Sequence, residues 1–63
     1  LAKDKGIRIG DTGKADTYLR PSGKIVVGEK RLDAVTAGEF IEKGSVIEII
    51  KIDGNRIIVT VKS

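Results

Sequence analysis

Leu19-Arg20-Pro21-Ser22-Gly23-Lys24 is the stretch on which the reading of this chain turns. Proline holds φ at about −65° and brings no N–H to a ladder, so with Ser22 and Gly23 behind it the chain is expected to reverse here. Before it, Gly13, Ala15, Thr17 and Leu19 share one face while Lys14, Asp16 and Tyr18 share the other. After it, Ile25 and Val27 oppose Lys24 and Val26. A period of two on both sides is that of half-buried strands, and the hexapeptide reads as the first turn of an all-β chain.

Working outward, Gly28-Glu29 marks a second turn, and Leu32, Ala34 and Thr36 then alternate with Arg31, Asp33 and Val35 as a third strand. Between Ala37 and Ser45 the alternation stops. Gly38 and Gly44 bracket a segment too short for a stable free helix, so a connecting loop with one helical turn is expected, its Phe40 and Ile41 plugging an open end of the core. The last two strands, residues 46–52 and 56–61, flank Asp53-Gly54-Asn55, a hairpin turn by composition. The inner set of the fifth strand reads as Ile57, Val59 and Val61. In the fourth, Glu48 assigns Ile47 and Ile49 to the core whereas Lys51 assigns Ile50 and Ile52 to it. One pleat cannot satisfy both, and a β-bulge near Ile49 to Lys51 resolves the conflict. A meander, a loop and a hairpin predict a closed five-stranded barrel of the OB type, with an SH3-like barrel as the alternative.

Sixty-three residues hold one domain near the lower size limit for folding without cross-links. Cys and His are both absent, which excludes disulfides, thiolate metal sites and histidine acid–base chemistry. Twelve Lys and Arg against nine Asp and Glu give a net charge of +3, with the signs interspersed as on a solvated surface. No apolar run is long enough to span a bilayer, and the fragment is expected to be soluble. Residues 1–9 read as a linker or flexible segment cut from a longer protein, and residues 10–63 as the domain. Abundant Lys, Glu and Ile without Cys, Met, His or Gln is a heat-adapted composition.

At the hexapeptide, with Gly10, Gly13, Ala15 and Thr17 before it and Gly28, Arg31, Asp33 and Ala34 after it, the chain resembles the soluble C-terminal domain of the NfeD family. Phe40-Ile41, Gly44, Ile47, Ile49, Gly54, Ile57 and Val59 extend the resemblance over residues 10–61. It implies a five-stranded OB-fold domain carried by a membrane protein that accompanies stomatin- or flotillin-like proteins. It further implies transmembrane helices ahead of the domain, a cytoplasmic placement, and in longer members a serine protease domain whose activity does not carry over to these residues. The matched positions are signature positions, with no catalytic role attached, and no cofactor is implied.

The candidate contact residues are Tyr18, Arg20, Lys24, Arg31 and Phe40. Arg20, Lys24 and Arg31 would gather positive charge at one end of the barrel, suited to an acidic partner or lipid headgroups. The plain alternative has Arg20 and Arg31 covering apolar edges and pairing with Asp33 or Glu29. Ser22 and Lys24 are two residues apart, as in a Ser–Lys nucleophile pair, but a lysine base needs burial that a turn does not offer. Asp11, Asp16 and Asp53 lack the converging oxygens that calcium or magnesium requires. OB-folds bind single strands by stacking bases on aromatic side chains, and this chain offers Tyr18 and Phe40 alone, with Phe40 expected in the core. The leading reading is a non-catalytic protein-interaction module that works in an oligomeric or membrane-bound assembly. Binding of single-stranded nucleic acid is the alternative.

Overall fold

A computed structural model of the chain describes residues 6–62. Its elements are β1 (Thr12–Ala15), β2 (Ser22–Val27), β3 (Lys30–Thr36), β4 (Val46–Asp53) and β5 (Arg56–Val61). They close in the order β1-β2-β3-β5-β4, with β4 returning to β1. Every pairing is antiparallel except β3 with β5, which run parallel through Val35↔Ile58 and Thr36↔Val59. A meander followed by a hairpin that closes on both β1 and β3 is the OB-type barrel expected from the alternation.

The inner faces follow the period of two. Ala15, Ile25, Leu32, Ala34, Ile47, Ile49, Ile57 and Val59 converge on one core, joined by Leu19, Ile41 and Ile7. Val27 and Ile52 pack against it from the rim. Burying a side chain of this size contributes about 1.5–3 kcal/mol, so the aliphatic residues carry the fold in the absence of cross-links. The bulge falls where the conflicting signals placed it: Ile49 pairs with Val59 and Lys51 with Ile58, leaving Ile50 outside the register. Gly28 and Gly54 open the two-residue turns β2–β3 and β4–β5 at φ of 62° and 63°. That positive φ at the first turn position matches the right-handed twist of the flanking strands.

Several local expectations are corrected. β1 ends at Ala15, and the reversal is made by residues 16–21, because Ser22 and Gly23 already pair with Val35 and Ala34 as the start of β2. Pro21 therefore stands at the strand's entrance, where a missing N–H costs nothing, and its carbonyl accepts the Thr36 N–H at 2.9 Å. The connection between β3 and β4 contains no helix among the described residues, only bends, the isolated bridge Leu19↔Ile41 and a turn at residues 43–44 in which the Ser45 N–H donates to the Glu42 carbonyl at 3.1 Å. Val61 is 45% exposed, because β3 ends at Thr36, opposite Val59, and has no residue to flank it further on. Of residues 1–9, the first five lie outside the described residues, while Ile7 is buried in the core.

Candidate partner-binding surface

Two loops meet at one end of the barrel and build its most distinctive exterior. Residues 16–21 lead from β1 to β2, and residues 37–45 lead from β3 to β4. Where they touch, the Leu19 N–H donates to the Ile41 carbonyl at 2.9 Å and the Ile41 N–H to the Leu19 carbonyl at 3.0 Å. Both side chains point inward, Leu19 fully buried and Ile41 2% exposed. In an antiparallel pair, successive side chains alternate between faces, so Tyr18, Arg20, Phe40 and Glu42 are turned outward, with Arg20 across from Phe40.

This corrects the expectation that Phe40 plugs the barrel. Ile41 is the plug, and Phe40 is 73% exposed. Tyr18 is 51% exposed, and the Arg20 guanidinium lies over its ring, 4.5 Å from the centroid. A cation stacked in this way is stabilised by about 0.5–1 kcal/mol at an exposed site and holds the ring in one orientation.

Three threonines set the loops. The Thr17 hydroxyl accepts the Lys24 N–H at 3.0 Å and donates to the Tyr18 carbonyl at 3.0 Å, tying the first loop to β2. Thr36, buried at the end of β3, donates its hydroxyl to the Glu39 carbonyl and accepts the Gly38 N–H at 3.1 Å. Thr60 reaches the Glu39 carboxylate at 2.8 Å from β5. Phe40 is thus held out by a braced loop.

Lys24 and Arg31 occupy the outer face of β2 and β3. Each has a carboxylate partner, Lys24 with Asp33 and Arg31 with Asp16, the latter through Nε at 2.6 Å. Among the described residues Arg31 meets Asp16 where Asp33 or Glu29 was expected, and the charge of these two cations is locally offset. Of the candidate residues, Tyr18, Arg20 and Phe40 are brought together, while Lys24 and Arg31 stand beside them on the sheet.

OB-folds commonly bind ligands over β2 and β3, between the β1–β2 and β4–β5 loops. Here a groove of about 570 Å³ lies there, lined by Ser22, Asp33, Val35, Asp53, Asn55 and Arg56 among others. It carries two carboxylates and no aromatic ring. Among the described residues, no three His, Cys, Asp or Glu side chains converge as a metal site.

A small closed barrel with this strand order is of the OB class. Residues 7–60 match the family described as NfeD-like C-terminal, partner-binding domain. The chain belongs to that family, and as such it is a non-catalytic partner-binding domain. The membrane protein NfeD1b of Bacillus subtilis (strain 168) is 43% identical over 51 residues, which cover 81% of this chain and 12% of that protein. Among solved structures, the C-terminal domain of stomatin operon partner protein 1510-C from Pyrococcus horikoshii superposes with a TM-score of 0.81 at 30% identity, over 87% of this chain and 88% of that one. The soluble domain of a Corynebacterium glutamicum membrane protein implicated in regulation of membrane protease activity shares the fold, with a TM-score of 0.77 at 17% identity over 87% and 92% of the two chains.

Proposed function

We propose that this domain docks a stomatin- or flotillin-like protein on behalf of a longer, membrane-bound parent whose cytoplasmic face it occupies. The partner rests on Tyr18, Arg20 and Phe40, flanked by Lys24 and Arg31. The observation that carries this reading is that both aromatic side chains of the chain stand outside the core, on the two loops joined by the Leu19–Ile41 bridge. Aromatic residues and arginine dominate the energetics of protein interfaces, and a braced patch of them loses little entropy on binding. The similarity to the Pyrococcus stomatin operon partner protein supports the choice of partner.

A nucleic-acid reading has less to rest on. Asp33 and Asp53 line the groove an oligonucleotide would use in an OB-fold, and would face its phosphates. Titration of the chain with the cytoplasmic region of a stomatin-like protein tests the proposal. Saturable binding weakened by Tyr18→Ala and Phe40→Ala is expected. A folded chain that does not bind at low salt ends it.

A further inference from the structure

We propose a second contact surface, the groove between β1, the β2–β3 turn and residues 43–44, which takes an extended acidic segment of a partner protein. The groove has a volume of about 500 Å³, and Lys14, Ala15, Asp16, Val26 and Lys43 line it together with three glycines. It shares none of Tyr18, Arg20 and Phe40.

The register sets its character. Lys14 pairs with Val46 on β4 and with Val26 on β2, and Val26 in turn pairs with Arg31 on β3. Residues paired across strands share a face, so the outer surface carries the row Val46, Lys14, Val26, Arg31, in which apolar and cationic side chains alternate. Val46 is 44% exposed, and nothing in the row offers Lys14 a carboxylate.

The charge is left open for a ligand. Asp16 is the only carboxylate lining the groove among the described residues, and it is engaged by Arg31 Nε at 2.6 Å. Lys14 and Lys43 make no ion pair or side-chain hydrogen bond among the described residues. Glu42, the neighbour of Lys43, does not line the groove. Two unpaired cations therefore border a floor of glycine, alanine and valine. An extended segment turns alternate side chains to opposite faces, so one that points its carboxylates at Lys14 and Lys43 complements this surface in charge. A bilayer presents its headgroups on a plane, whereas these cations border a concavity that a narrow extended segment enters.

The test is fluorescence anisotropy of a labelled peptide alternating Glu and Leu, titrated with the chain at low salt. The same peptide with Lys for Glu, and phosphatidylserine vesicles as competitor, complete the set. Binding of the Glu peptide alone is expected. It should fall about tenfold or more in Lys14→Glu/Lys43→Glu and by a smaller factor in Lys14→Gln/Lys43→Gln. Tyr18→Ala and Phe40→Ala should leave it unchanged, which separates this surface from the aromatic patch. Thermal melts of the exposed lysine variants should match the parent. Equal binding of the Lys peptide, indifference to both lysine pairs, or stronger capture by vesicles than by the peptide overturns the proposal.

Discussion

A methyl group on Gly23 would stand 2.4 Å from the carbonyl oxygen of Tyr18. The same methyl would meet Leu19 Cδ2 and Thr17 Oγ1, each at 2.6 Å. The loop that presents Tyr18 therefore lies directly against the start of β2, and no other residue type leaves it room. Gly23→Ala is expected to lift this loop at a cost of about 1–3 kcal/mol, the usual range for overpacking. In a domain of this size each kcal/mol corresponds to about 4–8 °C in Tm, so a thermal melt reads it. Binding of the stomatin-like partner should weaken in the same variant.

Phe40 and Ile41 are neighbours in sequence with opposite fates, and truncation separates them. Ile41→Ala removes a buried side chain and should cost about 2–5 kcal/mol, whereas Phe40→Ala should leave stability within about 0.5 kcal/mol. Partner affinity should respond in the other direction, with Phe40→Ala losing about tenfold or more, as an interface anchor does. Urea denaturation and a binding titration on the two variants decide it. Equal destabilisation by both would contradict the placement of Phe40.

Thr36 offers a test of how the second loop is braced. Thr36→Val keeps the shape but deletes the hydroxyl that serves Glu39 and Gly38, and should cost about 1–3 kcal/mol. Thr36→Ser retains the hydroxyl and should recover most of the loss in the same denaturation experiment.

The ion pairs on the sheet should matter little to stability. Arg31 and Asp16 are 57% and 38% exposed in their side chains, so Asp16→Asn should change stability by less than about 1 kcal/mol, the range of exposed pairs. A melt at low salt checks it.

The strands and their order were legible because alternation of side chains is a direct signature of a pleat with one wet and one dry face. Even the bulge could be read, since Glu48 and Lys51 refuse the same side of one sheet. Legibility ended where the chain leaves the ladder. Phe40 looked like core because it is large and apolar, but the bridge from Leu19 selects Ile41 for the interior, and that pairing joins residues 22 positions apart with no local signal. Pro21 signalled a break in pairing, which is real, yet did not reveal on which side the reversal lies. Of the candidate contacts, Tyr18 was legible as an outward residue and Arg20 as a cation beside the turn, but their stacking was not, because it arises in a loop that leaves the strand pattern. The groove around Lys14 and Lys43 was not, because two isolated lysines in sequence acquire meaning only when the register sets valines beside one of them.

The parallel junction of β3 and β5 has a further consequence. Only two residue pairs, Val35 with Ile58 and Thr36 with Val59, fasten the wall there, and they join the first three strands to the terminal hairpin. Such a clasp forms late, after the meander and the terminal hairpin have each assembled, since distant segments must meet before their contacts repay the lost chain freedom. The molecule thus has a built-in zip line, where deuterium should enter first and where a stretched or heated chain should begin to come apart.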